Sequence, residues 1–223
     1  MKKANANHLL MLLLCAFLIF LSACSPAGNT VENDNNGNSN GINNNGNNNG
    51  AQVYTVNDYL PLAAGNKWIY LGEGNEYASY NEKVLYREGD LAQLSRNNGG
   101  TIMALINKIE ADKIVLVYSQ EEFYEDTNIL DTPADREDVI LQGPFTVGAA
   151  WEAAERLYTI EAVDEEVTVP AGVFEHCLKV VSTFPDSSHT ITQYYAPGFG
   201  MVKSEFSDGE NQVTSSLESY TVN

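Results

Sequence analysis

Short runs that alternate apolar and polar residues dominate the chain from Asn66 onward. Gly, Pro, Asn and Asp interrupt these runs, which is typical of β-strands joined by turns. Two links predict hairpins: Ile109–Lys113, a short polar turn between apolar runs, and Ser207–Asn211 with Asp-Gly at its centre. The pattern predicts strands near Lys67–Leu71, Ala78–Arg87, Leu91–Ser95, Thr101–Glu110, Lys113–Tyr118, Asp138–Leu141, Leu157–Val163, Glu166–Val169, Phe174–Thr183, Thr190–Ala196, Met201–Phe206 and Gln212–Tyr220.

One stretch favours a helix instead. The segment Ala149–Leu157 is rich in strong helix formers but is under three turns long. We therefore expect at most one short helix there.

Two proline turns can be assigned a type from their residues. Val169-Pro170-Ala171-Gly172 has Pro second and Gly fourth, which suits a type I turn. Ala196-Pro197-Gly198-Phe199 has Gly third, at the position of a type II turn that needs positive φ. Both are expected to join antiparallel strands.

Both tryptophans of the chain stand in one repeated pattern, Pro-x3-Gly-x2-Trp. It occurs at Pro61–Trp68 and again at Pro144–Trp151. A turn set by Pro and Gly would deliver a large aromatic side chain into the core as the next segment begins. Two copies predict a pseudo-duplicated sheet, with chance recurrence as the alternative.

The first residues have the pattern of an export signal. Lys2 and Lys3 precede an apolar run from Leu9 to Leu21, which is shorter than the roughly 20 residues of a permanent membrane helix. The sequence Leu21-Ser22-Ala23-Cys24 resembles the lipobox of bacterial lipoproteins. This resemblance implies that residues 1–23 are removed and that Cys24 carries acyl chains such as palmitate, which hold it to the membrane. An ordinary signal peptide is the alternative.

Asn and Gly make up most of the following segment, and we assign residues 24–52 to a lipid-anchored linker. With almost no apolar side chains, it cannot offset the entropy cost of ordering, so we expect a flexible coil. Its 26 residues from Ser25 to Gly50 would reach about 25–30 Å. Residues 53–223 would then form a single β-rich extracytoplasmic domain.

Charge and cysteine usage limit the possible partners. The formal net charge is −18, and removal of Lys2 and Lys3 with the signal leaves 10 basic against 30 acidic residues, a net charge of −20. Such a surface repels phosphate backbones, so we exclude nucleic acid as a partner. Cys177 is the single cysteine of the predicted domain, which excludes an intrachain disulfide there.

The motifs resemble, as a set, a group of bacterial envelope proteins and lipoproteins whose β-rich domain has no assigned activity. They are Pro61–Trp68, Val169–Val180 with Val-Pro-Ala-Gly-x-Phe, and Tyr194–Lys203 with Tyr-Tyr-Ala-Pro-Gly-x-Gly. The resemblance spans roughly Tyr59 to Phe206, and it leaves the segment Gln120–Asp138 unmatched. It implies an antiparallel, strongly curved sheet, an open barrel or sandwich-like, and an exported location. It carries over no catalytic residue and no cofactor.

The densest chemical feature is an acidic segment between residues 121 and 138. Carboxylates at this density could bind Ca²⁺, with Asp126, Asn128 and Asp131 as weak candidates, but the EF-hand pattern fails there. A solvated surface loop is the simpler interpretation. The eight carboxylates are Glu121, Glu122, Glu125, Asp126, Asp131, Asp135, Glu137 and Asp138.

His176 and Cys177 are neighbours in a predicted strand. Successive side chains of a strand point to opposite faces, so the two cannot form a catalytic dyad. Strict alternation would place His176 with Phe174 and Leu178 on one face, where we expect a structural histidine. Cys177 would then lie on the other face with Lys179.

Two functions remain open at this point. The first is a membrane-anchored extracytoplasmic lipoprotein whose β domain is non-catalytic and binds an envelope protein, a glycan or an apolar ligand, or is structural. The alternative is a cell-envelope hydrolase that uses carboxylates of the 121–138 segment. A cleft with converging carboxylates would favour the enzyme, and an apolar groove would favour ligand binding.

Overall fold

The computed structural model describes residues 53–223, which form an antiparallel β structure with one short helix. The predicted signal peptide (1–23), the linker (24–52) and Cys24 lie outside the described residues. The helix is α1 (Val56–Tyr59), and the strands are β1 Lys67–Glu73, β2 Tyr80–Glu88, β3 Leu91–Asn97, β4 Ile102–Ile109, β5 Lys113–Gln120, β6 Asp138–Gln142, β7 Ala150–Ala153, β8 Arg156–Val169, β9 Gly172–Thr183, β10 Thr190–Ala196, β11 Gly200–Ser207 and β12 Gln212–Thr221. Within residues 53–223, no helix has the length and apolar character needed to cross a membrane.

The twelve strands form a single sheet in the order β6-β5-β4-β3-β2-β1-β12-β11-β10-β9-β8-β7. Strands β1 to β6 make one up-and-down meander and β7 to β12 make a second, and β1 pairs with β12 to join them. The sheet curls until β6 and β7 come close without pairing, which leaves a nearly closed barrel. The indole N–H of Trp151 donates to the carbonyl of Val139 across this gap, at 3.1 Å. The expected antiparallel, strongly curved sheet is confirmed.

The two Pro-x3-Gly-x2-Trp segments fold alike. The N–H of Gly65 donates to the carbonyl of Val84 at 2.9 Å, and the N–H of Gly148 donates to that of Ile160 at 2.8 Å. The two glycines have φ angles of 90° and 88°, which a glycine adopts without steric cost. Each tryptophan is the second residue of the first strand of its meander and is buried. The same turn therefore opens both meanders, which supports the predicted pseudo-duplication.

The helix predicted at residues 149–157 is wrong. Ala150–Ala153 forms β7 and pairs with the start of β8, and Ala154 and Glu155 make the two-residue loop between them. Both loop residues have positive φ (48° and 59°), which matches the twist of a tight hairpin. Burial of Trp151 on β7 and the pairing of its backbone outweigh the helix propensity of the segment.

The strands predicted at Leu157–Val163 and Glu166–Val169 are one continuous strand, β8. Bulges in its middle bend the β8–β9 hairpin while keeping the two strands paired. The tip of the bent hairpin reaches β12, where the N–H of Ala171 donates to the carbonyl of Leu217 at 2.9 Å. Val167, Val169 and Phe174 of this hairpin join the same core cluster as Trp68.

The strand directions define two ends of the barrel. The motif end carries α1, both tryptophan turns, and the β8–β9 and β10–β11 turns. The open end carries the loops at residues 74–79, 98–101, 154–155, 184–189 and 208–211. Apolar side chains fill the middle of the barrel and its motif end, among them the fully buried Trp68, Val84, Leu94, Ile114, Leu178 and Leu217.

Candidate functional site at the open end of the barrel

Two motifs that are far apart in the sequence contact each other at the motif end. The indole N–H of Trp68 donates to the carbonyl of Phe199 at 2.6 Å, and the hydroxyl of Tyr70 donates to that of Met201 at 2.8 Å. Gly200 has φ +97°, and a Cβ atom at this position would lie 3.1 Å from the indole nitrogen of Trp68. The tryptophan motif and the Tyr-Tyr-Ala-Pro-Gly-x-Gly motif therefore occur together because they pack against each other.

A shallow depression of about 440 Å³ opens beside this contact. Phe174, Phe199 and Tyr220 pack edge to face there, with ring centroids 5.0 to 6.1 Å apart. Tyr54 and the exposed Val173 also belong to its lining. The three rings pack on one another, and Phe174 and Phe199 belong to the same core cluster as Trp68. The depression therefore lies at the outer edge of the motif-end core.

Inward-facing side chains are more polar and only partly buried at the open end. Tyr80 is paired with Tyr70, and Glu82 with Trp68, so both face inward with these buried aromatic residues. Arg96 is paired with Glu82 and faces the same way. Strands β10 to β12 supply further half-buried inward positions: Ile191, Gln193, Ser204, Phe206, Val213 and Ser215. At this end the interior is therefore lined by a mixture of hydrogen-bonding and apolar side chains that are only partly shielded from solvent.

Arg96 and Glu82 form an ion pair in this interior. Nε and Nη2 of Arg96 lie 2.7 and 2.6 Å from Oε2 of Glu82. The guanidinium lies over the ring of Tyr80, 5.3 Å from its centroid, and Tyr80 stacks on Tyr70 at 4.5 Å. Neither Nη1 of Arg96 nor Oε1 of Glu82 has a hydrogen-bond partner among residues 53–223. The side chain of Arg96 is 43% exposed and that of Glu82 is 12% exposed, so solvent reaches the pair from the open end.

The surroundings keep the guanidinium of Arg96 charged. Desolvation lowers the pKa of the Arg96 guanidinium, but the nearby Glu82 carboxylate and Tyr80 raise it more, so the pKa lies above its ordinary value. Desolvation likewise raises the pKa of the Tyr80 and Tyr195 hydroxyls, and Tyr195 on β10 also senses the charges of the pair. At neutral pH the site therefore presents a charged guanidinium beside neutral phenol groups.

Two buried side chains on the inner face have unused hydrogen-bonding capacity. Ser182 is paired with Tyr158 on β8, and Asn107 is paired with the core residue Ala92. Oγ of Ser182 and Oδ1 of Asn107 have no hydrogen-bond partner within the described chain. A buried polar atom left unsatisfied costs about 1–3 kcal/mol, so such atoms usually bind water or a ligand.

The β1–β2 loop, Gly74–Ser79, folds over part of the open end. The hydroxyl of Ser215 donates to the carbonyl of Ala78 at 2.7 Å. Gly72 lies directly beneath the loop, and a Cβ atom there would collide with the backbone of Ala78. Tyr77 of the loop reaches the β3–β4 turn. The loop narrows the entrance, yet the exposure of the guanidinium shows that it leaves the ion pair accessible.

The acidic segment between β5 and β6 packs along the outer wall of the barrel. Gln93 on β3 donates to the carbonyl of Thr127 and accepts from the N–H of Ile129, both at 2.8 Å. Leu130 is buried beneath the segment. The backbone is thus held by packing, whereas most of the carboxylates stay exposed, as in the solvated-loop interpretation.

The three weak metal candidates of this segment have separate surroundings. The backbone carbonyl of Asp126 accepts from the hydroxyl of Tyr86 at 2.6 Å, and Asp131 is exposed. The side-chain amide of Asn128 donates to Glu88 at 2.7 Å. Between residues 53 and 223, no three His, Cys, Asp or Glu side chains are grouped so that they could hold a metal ion. Metal binding by the segment stays a prediction, as does its use by a hydrolase.

The predicted shared face of His176 with Phe174 and Leu178 is wrong, because the latter two are buried and His176 is not. The residue has φ 57° in a bulge of β9, its side chain is exposed, and Nδ1 lies 2.6 Å from Oδ1 of Asp164. The bulge shifts the alternation by one residue, so that Phe174 and Cys177 are both buried. The Cys177 thiol points to the carbonyl of Phe174, and desolvation raises its pKa to about 11. His176 therefore contacts Asp164 at the surface, and Cys177 contacts the backbone of Phe174 in the interior.

Comparison with known proteins gives a partial match. Residues 158–218, from β8 to β12, match the protein-family model described as DUF3108-like. No curated protein matches the chain.

Two solved structures are similar in fold. One is described as a "putative exported protein with YmcC-like fold" from Bacteroides fragilis NCTC 9343, at 15% identity and TM-score 0.46. The other is a "putative lipoprotein" from Parabacteroides distasonis ATCC 8503, at 19% identity and TM-score 0.41. Each alignment covers 73% of this chain and 98% of the other. At these TM-scores the likeness identifies neither a ligand nor a location for this chain.

Sequence reasoning missed Glu82 and Arg96. The strand pattern contains a signal for them. Glu82 stands two residues before the apolar Val84, and Arg96 two residues after the apolar Leu94, so each shares a strand face with an apolar residue. A charged residue in the inward register of a strand departs from the apolar pattern of a barrel core. The pairing of the two strands that carry them, and hence their ion pair, could not be derived from that pattern alone.

Proposed function

We propose that this protein is an extracytoplasmic lipoprotein, cleaved before Cys24 and anchored to a membrane by lipid on that cysteine. The lipobox-like sequence Leu21–Cys24 at the end of an apolar run supports the anchor. Acyl chains contribute about 0.8 kcal/mol per buried CH₂, so more than one chain holds a protein stably. The linker 24–52 would let the β domain reach partners in the envelope.

A cysteine replacement tests the anchor. We expect the wild-type chain in the membrane fraction, released by detergent but not by high salt, with acyl chains on its N-terminal cysteine by mass spectrometry. Cys24→Ser should shift the protein to the soluble fraction or leave it uncleaved and without added lipid. Cys15→Ser, in the apolar run, is the matched control and should behave as wild type. An equally firm, processed membrane association of Cys24→Ser would refute the anchor.

We further propose that the β domain binds a ligand at the open end of the barrel without chemical conversion. The observation that carries this proposal is the Arg96–Glu82 pair, enclosed by the barrel yet open to solvent. A charged pair in a barrel interior costs desolvation energy that apolar residues of similar size would avoid. Its unused Nη1 and Oε1 atoms offer a donor and an acceptor to a molecule entering from the open end.

Binding fits this site better than hydrolysis does. Oε2 of Glu82 accepts a hydrogen bond from Nε of Arg96 and forms an ion pair with Nη2, so this carboxylate oxygen is already engaged by the guanidinium. The carboxylates of the 121–138 segment belong to a loop on the outer wall. The site is therefore arranged to orient a ligand through hydrogen bonds.

Co-purification with a blocked control tests the binding function. The full-length lipoprotein would be purified from its native envelope, and small molecules released from it would be identified by mass spectrometry. Ser204→Trp places a large side chain among the inward positions of the open end, and Gln193→Leu is a milder second variant. We expect a molecule that is retained by wild type, reduced in both variants and recovered chemically intact. Equal recovery from all three proteins, or progressive conversion of the molecule, would refute non-catalytic binding at this site.

A further inference from the structure

We infer that the open end takes a neutral, hydroxyl-rich group, the terminal sugar of an uncharged glycan, held between the Arg96–Glu82 pair and the polar side chains of β10 and β11. This inference rests on the proposed binding function and names its ligand class. It follows from a comparison of anionic, cationic, apolar and hydroxyl-bearing ligands at the site.

An anionic ligand gains little at this site. The charge of Arg96 is already balanced by Glu82, whose Oε2 lies within 2.7 Å of two guanidinium nitrogens. The field of the remaining protein is strongly negative, because acidic residues far outnumber basic ones. A phosphate or carboxylate at the unpaired Nη1 of Arg96 would be repelled by the adjacent Glu82 carboxylate and by this field.

A cationic or large apolar ligand fits no better. A cation placed near Oε1 of Glu82 would be repelled by the guanidinium of Arg96, which is bound to the same carboxylate. An apolar ligand would leave the donors and acceptors of the site without partners. Below the pair, space for an apolar group is already filled by the buried Leu94 and Leu217.

A sugar hydroxyl group matches the site because it both donates and accepts hydrogen bonds. The unpaired Nη1 of Arg96 would donate to one hydroxyl oxygen, and Oε1 of Glu82 would accept from a neighbouring hydroxyl. Ser204 and Gln193 face inward on the opposite wall and offer a hydroxyl and an amide oxygen, while the amide nitrogen of Gln193 donates to the sulfur of Met201 at 3.4 Å. Arg96 and Glu82 hold each other in place, and Tyr80 stacks beneath the guanidinium. Nη1 and Oε1 are therefore oriented before the ligand arrives.

Direct titration tests the ligand class. The purified full-length lipoprotein, in a detergent without a sugar head group, would be titrated with neutral trisaccharides of glucose, mannose and N-acetylglucosamine. Parallel titrations would use an acidic trisaccharide of galacturonic acid and inorganic phosphate. We expect saturable binding of at least one neutral trisaccharide by calorimetry, and at least tenfold weaker binding of the acidic trisaccharide and of phosphate.

A matched pair of variants locates the binding. Glu82→Gln should weaken the neutral sugar at least tenfold, because it loses the charged acceptor and frees Arg96 to move. Glu205→Gln removes a similar ion pair with Lys203 on the outer face of β11 and should change binding less than twofold. Thermal unfolding would confirm that both variants are folded, and Gln193→Leu gives a second test of the site without touching the pair.

The outcomes separate the ligand class from the binding function. If phosphate or the acidic sugar binds best, or if none of these probes binds, the inference about the ligand class is wrong. The binding function would still stand if co-purification finds another molecule that Ser204→Trp displaces. If a neutral sugar binds equally well to wild type, Glu82→Gln and Gln193→Leu, the proposed position of the site is wrong.

Discussion

The two ends of the barrel differ in what their side chains do. At the motif end, Trp68, Phe174 and Phe199 contact one another or the backbone, and their hydrogen bonds are made within the protein. At the open end, Arg96 and Glu82 leave a donor and an acceptor free and accessible. The residues most visible as motifs therefore maintain the fold, and the candidate site lies where the sequence shows no motif.

This difference has a physical origin in the turns. A tight turn that must accept a tryptophan ring allows few residue types, as Gly200 against Trp68 shows. A binding site built on the inner face of strands needs only suitable side chains in the right register. Such a site leaves the backbone unrestrained and produces no fixed spacing in the sequence. The predictions below test this separation of stability from binding, beginning with the largest expected effect.

Removal of the Trp68 side chain should have the largest effect on stability. Trp68→Ala creates a cavity in the core and leaves the carbonyl of Phe199 without its donor, so we expect a loss of about 4 kcal/mol in the free energy of unfolding. Urea unfolding of the purified protein measures it. Trp68→Phe keeps an aromatic ring but loses the N–H, and should cost about 1–2 kcal/mol. A loss below about 1 kcal/mol for Trp68→Ala would contradict the assignment of the motif end to stability.

Gly200 and Gly198 allow backbone strain to be separated from the contact with Trp68. Both have positive φ, at 97° and 83°, but only at Gly200 would an added Cβ atom lie within 4 Å of the tryptophan. We expect Gly200→Ala to cost about 2–3 kcal/mol and Gly198→Ala about 1 kcal/mol, which reflects the φ angle alone. Thermal and urea unfolding compare them. Equal losses would show that Trp68 moves freely away from the new methyl group.

The ion pair at the open end should contribute less to stability than either motif-end contact. Glu82→Gln leaves the guanidinium without its counterion, but Arg96 is 43% exposed and water can solvate it. After this discount for solvent screening we expect a loss of about 1–2 kcal/mol, against under about 1 kcal/mol for Glu205→Gln on the outer face. Urea unfolding at low and high salt measures both. A loss as large as that of Trp68→Ala would make the pair a structural element instead of a binding group.

The smallest expected effect is on the pH dependence of an open-end turn. Hydrogen bonds from the side chain and backbone of Asn211 and the backbone of Glu210 lower the pKa of Asp208 from 3.8 to about 2. A lowered folded-state pKa stabilises the fold above the ordinary value, and this contribution is lost as the pH falls through about 2.

Asp208→Asn tests this contribution. The wild type should lose slightly more stability than the variant between pH 4 and pH 2, as measured by urea unfolding at each pH. Parallel pH profiles for the two proteins would show that the turn contributes nothing through this carboxylate. Asp186, an exposed residue in the neighbouring loop, offers a matched replacement by Asn.

Strand positions could be predicted from the sequence because each strand needs only local alternation and a turn at either end. The turn at Ala196–Phe199 was predicted as type II, and Gly198 has the positive φ that this type requires. The hairpin of β7 and β8 could not be predicted, because Ala154 and Glu155 are not the residues that usually adopt positive φ. The burial of its tryptophan decides that segment, and burial depends on distant strands.

The inward ion pair shows a second kind of information that local pattern does not contain. Alternation along β2 and β3 places Glu82 and Arg96 on one face or the other, but it does not say which strands pair or which face is enclosed. The bulge at His176 is a second feature that alternation does not predict. One extra residue in β9 breaks the alternation and places the histidine on the outside.

By itself the sequence determined that the domain is built of short antiparallel strands and that two tryptophan turns repeat, and it predicts an export signal at the N-terminus. These features depend on composition and on neighbours along the chain. The tertiary structure alone decided that the sheet closes almost fully, that the motifs meet at one end, and that a charged pair is enclosed at the other. Those outcomes depend on contacts between residues far apart in the chain, and the free energy of burial that selects them is a property of the whole barrel.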